Sequence, residues 1–165
     1  MDKTELVAPC GVYCGICPVY IADKEQNADL KKKIAATFNV KLQDVTCGGC
    51  RSGRVFLGDE DCTVKPCAAV RGIEGCFRCN EFPCSHIKER PEIVRRVILR
   101  SVPILRECDF ERFIEREAEH YRCPQCGTRL FMGARKCPSC GRVIENTCPA
   151  ASTCSTSPGC NSGPA

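Results

Sequence analysis

Short-spaced cysteine groups constrain this chain more than any other feature. Eighteen of its 165 residues are cysteine. They fall as Cys10-x3-Cys14-x2-Cys17, Cys47-x2-Cys50, Cys62-x4-Cys67, Cys76-x2-Cys79-x4-Cys84, Cys123-x2-Cys126 and Cys137-x2-Cys140. Two residues between thiols let a tight turn aim both sulfurs at one point about 2.3 Å from a shared ion. The expected fold is therefore built around metal sites, and metal binding is the first property to expect of it.

Staples at this density belong either to secreted disulfide domains or to intracellular metal domains. The first residues, Met1-Asp2-Lys3-Thr4-Glu5-Leu6, carry no basic-then-apolar leader, and no apolar run approaches the roughly 20 residues of a membrane helix. These features lead us to expect a reduced cytoplasmic protein with thiolate–metal bonds and no membrane partner. The 43 % hydrophobic content includes the thiols, and there is no Trp. The ordinary core is thin, so metal sites, each contributing on the order of 10 kcal/mol in isolated small domains, are expected to supply the missing stability. The formal charge of +4 also changes meaning. A zinc held by four thiolates carries −2, so three such sites would bring the chain to about −2. Basicity alone is then no argument for nucleic acid.

Pro18 is placed to open a short helix over Val19, Tyr20 and Ile21. A clearer helix is expected at about 27–38, capped by Asn27 or Asp23, with Leu30, Ile34 and Phe38 on one stripe and Lys31, Lys32 and Lys33 on a solvated face. Residues 45–84 hold seven cysteines among turn residues, with short strands such as 55–57 at most. Pro91 reads as the first residue of a further helix through Val94, Val97, Ile98, Ser101, Ile104 and Leu105, with a break or kink expected at Pro103. Asp109 then caps a helix lined by Phe110, Phe113, Ile114, Ala118 and Tyr121, with Arg and Glu residues alternating on a solvated side.

A second module starts near Tyr121. Cys123-Pro-Gln-Cys126-Gly and Cys137-Pro-Ser-Cys140-Gly are two knuckles separated by ten residues. Glycine after the second thiol permits the positive φ of the turn, and residues 128–134 are expected to form a hairpin between the knuckles. This is the signature of a zinc ribbon. Beyond it the chain is rich in Pro, Ala, Ser, Thr and Gly, with Cys148, Cys154 and Cys160 six residues apart. Its composition is that of a disordered tail.

The N-terminal 90 residues resemble an uncharacterised cysteine-rich family, domain of unknown function 3795. The likeness lies in Cys10-Gly-Val-Tyr-Cys14-Gly-Ile-Cys17-Pro-Val-Tyr, Cys47-Gly-Gly-Cys50-Arg-Ser-Gly and Cys62-Thr-Val-Lys-Pro-Cys67. It continues through Gly75-Cys76-Phe-Arg-Cys79-Asn-Glu-Phe-Pro-Cys84. The ribbon is similar to an extension carried by some longer members. The resemblance implies metal binding in bacterial or archaeal cytoplasm and no established activity.

Ten thiols (Cys10, Cys14, Cys17, Cys47, Cys50, Cys62, Cys67, Cys76, Cys79 and Cys84) suffice for two four-thiolate sites with two to spare. One arrangement joins Cys47 and Cys50 to a later pair, and the first triad to a thiol from 76–84. His86 is an alternative ligand or a helix-start residue, His120 an ordinary helix residue, and Cys108 a small buried hydrophobe. Zinc and iron–sulfur chemistry compete for these thiolates. The first triad has the spacing by which radical-SAM enzymes hold a cluster. However, Ile16 stands where that motif places an aromatic, and about 100 residues cannot build the accompanying barrel. Cys17-Pro18 matches the ending of a ferredoxin run, but the rest of that run is absent. No phosphate-cradling loop, Gly-x-Ser-x-Gly or His-Glu-x-x-His occurs, Glu74 and Glu81 read as solvated, and no catalytic residue is assigned.

The expectation is a small metal-stabilised α+β protein. It comprises an irregular cysteine-rich knuckle domain with several short α-helices over 1–90, a helical connector over 91–121, a β-hairpin zinc ribbon over 122–145, and the tail over 146–165. Its expected cofactor is Zn2+ at Cys123, Cys126, Cys137 and Cys140 and in the N-terminal domain, with an iron–sulfur cluster as the alternative there. Its expected role is a structural or interaction module with an unidentified protein partner. The alternatives are an iron–sulfur redox protein and a nucleic-acid-binding ribbon using Arg129, Arg135, Lys136 and Arg142.

Overall fold

The computed structural model describes residues 3–56 and 62–144. The tail, with Cys148, Cys154 and Cys160, lies outside the described residues, as does Leu57. Among the described residues six α-helices form: α1 (Pro18–Lys24), α2 (Ala28–Phe38), α3 (Val64–Val70), α4 (Ser85–Lys88), α5 (Glu92–Glu107) and α6 (Phe110–His120). Short 3-10 turns, among them Lys3–Leu6, Cys14–Ile16 and Cys76–Arg78, connect them.

The helix starts follow local chemistry. Pro18 opens α1, where its missing N–H costs nothing. Asn27 Oδ1 accepts from Leu30 N–H at 3.0 Å to cap α2, and Asp109 Oδ1 accepts from Arg112 N–H at 2.8 Å to cap α6. Pro91 is the cap of α5 rather than its first residue. The break expected at Pro103 does not occur, because α5 runs on to Glu107. Pro103 is exposed, so the Leu99 carbonyl that its ring deprives of a donor lies on the wet side of the helix.

Two cores result. The larger joins Val97, Ile98, Val102 and Leu105 of α5 to Phe113 of α6, Val7, Ile16, Phe77, Ile87, Tyr121 and Leu130. The smaller packs Val19, Tyr20 and Ala22 of α1 against Ile34 of α2, Val45, Cys14 and Cys47. Two charged residues read as solvated are not. Glu117 lies fully buried on the same face of α6 as Phe113 and Tyr121, paired with Arg100 of α5. Lys31 turns inward to Asp23.

The α+β expectation is wrong. Among the described residues there is no β-strand, and so no β-hairpin ribbon. Only the isolated bridges Val7–Tyr13, Arg122–Arg129 and Lys136–Val143 form. The last two lie within the two knuckles rather than between them. Cys123 N–H donates to Thr128 O at 2.9 Å, and Cys137 N–H to Arg142 O at 2.8 Å. Each knuckle thus spends its backbone groups on closing its own turn, and Met132 N–H goes to Ile16 O at 2.8 Å instead of to a facing strand. The chain is a helical, cysteine-rich protein with irregular knuckles.

Candidate metal centres

The C-terminal centre is assembled by two turns of the same design. In each, a glycine at φ +70°, Gly127 or Gly141, follows the second thiol, and a Cβ there would meet nothing within 4 Å. Glycine is required by backbone conformation at both positions, as the motif predicts. Gly127 N–H returns to Cys123 O at 2.8 Å and Gly141 N–H to Cys137 O at 3.1 Å. The turns face each other, with Cys123 Sγ 3.6 Å from Cys140 Sγ and Cys126 Sγ 3.5 Å from Cys137 Sγ. All four sulfurs lie within 4.8 Å of one another. Four sulfurs each about 2.3 Å from one tetrahedral ion would stand about 3.8 Å apart, so the spacing fits a single ion.

Electrostatics act on these thiols in opposite directions. Contact with Thr128, 3.3 Å away, holds the Cys126 thiol down to about 6. The Cys140 N–H lowers Cys137. At Cys140 the Arg142 N–H favours the thiolate, but burial and the neighbouring sulfurs outweigh it and push the thiol up to about 12. A cation of charge +2 would reverse that repulsion and release the protons. Cys123 and Cys137 are buried while Cys126 and Cys140 face solvent, so the centre sits at the surface on a buried base. Leu130, inside the main core, anchors that base, with its N–H donating to Tyr121 O at 2.7 Å.

The N-terminal thiols divide into two neighbourhoods. Cys14, which opens the 3-10 turn Cys14–Ile16, and Cys17, which follows it, adjoin Cys47 and Cys50. The Cys47–Cys50 pair therefore lies beside Cys14 and Cys17 of the first triad. Contact with the Cys50 thiol and N–H lowers Cys14 despite burial, whereas burial pushes Cys17 up to about 11. Gly49 N–H donates to Cys47 Sγ at 3.4 Å. The second neighbourhood is Cys67 of α3, Cys76 and Cys79 of the next 3-10 turn, and Cys84 at the head of α4. They share the wall of one cavity with His86. Burial and the surrounding thiols raise Cys76 to about 12. Cys10 lies between the two groups, near Cys50, Cys62 and Cys76, and burial raises it to about 12 as well. Cys10, Cys50 and Cys62 line a smaller void of about 40 Å3. Cys108 packs partly buried against the main core, and its thiol donates to Ile104 O at 3.2 Å.

Several residues that position these groups carry no cysteine-like signal. Asp23, considered above only as a cap, is 6 % exposed and accepts from Cys47 N–H at 3.2 Å, Lys31 Nζ at 2.9 Å and Arg54 at 3.1 Å. Burial works against its charge, but these donors win and hold its carboxyl below the usual range. Arg51 spans from Val7 O at 2.7 Å to Glu74 O at 2.9 Å, tying the Cys47–Cys50 loop to two distant segments. Arg106 of α5 donates to Cys79 O at 2.7 Å and Phe77 O at 3.2 Å, latching the Cys76–Cys79 turn. Glu81 is exposed, as its solvated reading expects, and accepts from both terminal nitrogens of Arg71 at 2.8 and 2.7 Å. Arg129, a candidate phosphate contact, is ion-paired with Glu25. Such long-range pairings leave no local pattern in a sequence.

No curated protein and no solved structure matches the chain. Among the described residues no helix is long and apolar enough to cross a membrane. A family model does match: residues 6–89, just over half of the chain and the whole span of the first ten thiols, fit the one described as "Protein of unknown function (DUF3795)", and the chain belongs to that family.

Proposed function

We propose that this protein is a metal-stabilised interaction module whose C-terminal centre holds one zinc ion through Cys123, Cys126, Cys137 and Cys140. The observation that carries this reading is the four-sulfur cluster at tetrahedral spacing. Four thiolates close the coordination shell and leave no position for substrate, which is the form of a structural rather than a catalytic zinc. The metal supplies cross-linking of two turns that have no sheet to hold them. Gly127, Gly141 and Thr128 shape and charge the cradle. The N-terminal thiols are read as ligands of further metal. A reducing, cytoplasmic setting, in which clustered thiolates bind metal rather than oxidise to disulfides, belongs to the same reading. The surface offered to a protein partner is the knuckle face, where Val143 is exposed, together with exposed Ile93, which lies against Gly133.

The test is metal analysis of the full chain. Wild-type protein is expected to keep one zinc through gel filtration that C123S/C126S loses, with loss of hydrogen-exchange protection at Leu130. Equal zinc in wild type and variant would refute the reading.

A further inference from the structure

The second N-terminal neighbourhood differs from the C-terminal centre in a way that bears on what it holds. Two sulfurs bound to one ion at about 2.3 Å cannot be more than about 4.6 Å apart. Cys123, Cys126, Cys137 and Cys140 meet that limit, to within a few tenths of an ångström, as a set. Among the described residues no three of the N-terminal thiols have their sulfurs mutually within 4.8 Å. Cys67, Cys76, Cys79 and Cys84 instead stand around a cavity of about 180 Å3. One water needs about 10–15 Å3, so the void has room for a group of many atoms. A closed mononuclear site would leave no such space between its ligands.

The walls of this cavity are held apart by the fold. Cys76 N–H is fixed to Pro9 O at 2.7 Å, and Arg106 fixes Cys79 O at 2.7 Å from the opposite side. Cys67 sits on α3 and Cys84 at the start of α4, so three separate elements would have to move to bring the four sulfurs onto one ion. The Arg71–Glu81 pair borders the same cavity, and His86 adds an imidazole to its wall. The Cys14, Cys17, Cys47 and Cys50 group is built differently. It has an N–H···S bond from within its knuckle, and Cys14, Cys17 and Cys47 pack with the smaller core while Cys50 packs against the larger.

We infer that the cavity walled by Cys67, Cys76, Cys79 and Cys84 houses a polynuclear iron–sulfide cluster, whose irons these thiolates would hold as terminal ligands. Thiolates are the ligands such cores take, and a core of several irons bridged by sulfide accommodates sulfurs too far apart for one ion. The inference rests on the reading of the N-terminal thiols as metal ligands and is independent of the zinc at the C-terminal centre.

The experiment is anaerobic purification of the full chain, followed by its visible spectrum and by assays of iron, acid-labile sulfide and zinc. Wild-type protein is expected to be brown, with on the order of two to four irons and equal sulfide per chain. C76S/C84S is expected to lose iron and sulfide more than tenfold while keeping the C-terminal zinc. C123S/C126S should lose that zinc and keep the iron. A colourless wild type holding zinc without sulfide overturns the inference and leaves the proposed zinc centre standing. So does iron that persists unchanged in C76S/C84S. If that variant does not fold, the wild-type iron and sulfide contents decide, with C108S, outside the cavity wall, as the control that retains them.

Discussion

Asp23 is the residue through which the Cys47 knuckle can be tested without touching a thiol. The substitution is Asp23→Asn, which keeps the volume and one acceptor oxygen while removing the charge. A hydrogen bond from Cys47 N–H to a charged acceptor contributes about 1.5–3 kcal/mol, and Asn retains part of it. Arg54 is 56 % exposed on its side chain, so its pairing adds only about 0–1 kcal/mol. Lys31, at 16 %, is left beside a neutral amide with little water to replace its partner. The net cost comes to about 2 kcal/mol, or about 4–8 °C in melting temperature for a chain of this size. Because the carboxylate fixes a ligand-bearing backbone, metal held through Cys47 is expected to weaken about 10–100-fold. Thermal melts and competition with a chromophoric chelator measure the two effects. Adding Lys31→Met to D23N should restore about 1 kcal/mol by removing the stranded ammonium. D29N, whose carboxylate is 88 % exposed, should stay within about 0.5 kcal/mol of wild type. A D23N melt within about 1 °C of wild type, or a D29N effect as large, would refute the reasoning.

Further outcomes follow from single positions. Gly141→Ala should cost about 1–2 kcal/mol through its left-handed backbone alone and speed zinc loss to a chelator, with Gly141→Asn milder. Gly75→Ala places a Cβ 2.5 Å from the Pro9 carbonyl oxygen, so a melt should show about 1–3 kcal/mol of destabilisation although its backbone φ of 172° suits any residue. Glu25→Ala breaks an exposed pair with Arg129 and should move stability by no more than about 1 kcal/mol in a denaturant titration. Phe77→Leu removes the ring packed edge-to-face 5.5 Å from Phe110 in the main core. It should lower the denaturation midpoint by the equivalent of about 1–3 kcal/mol without changing the zinc content of the C-terminal centre.

What could be read in the sequence was what depends on a few neighbouring residues. Asn27 and Asp109 cap helices, Pro18 opens one, and the two Cys-Pro-x-Cys-Gly turns bring their four thiols together, because each is decided by chemistry within about one turn. The hairpin was not readable. Whether residues 128–134 pair with a facing strand depends on where Met132 N–H finds an acceptor, and that acceptor is Ile16, 116 positions away. The pairing of the first ten thiols was opaque for the same reason, since spacing says that Cys47 and Cys50 share a turn but not that Cys14 and Cys17 lie beneath it. Glu117 and Lys31 misled because exposure was inferred from residue type, while Arg100 and Asp23 supply the buried partners that type alone cannot show. Of the break or kink expected at Pro103, the break does not occur, since a helix tolerates proline where its orphaned carbonyl faces water.

The Met132–Ile16 hydrogen bond joins the backbone of the C-terminal centre to the turn that carries Cys14 and runs into Cys17. If both centres hold metal as proposed, filling either would stiffen one end of that bond, so the entropy of ordering it would be lost once, to whichever ion arrives first. The second ion then binds a partner already arranged, and linkage requires the advantage to be the same factor in both directions. Scarcity of metal would therefore empty the two centres in concert over a narrow range of free ion.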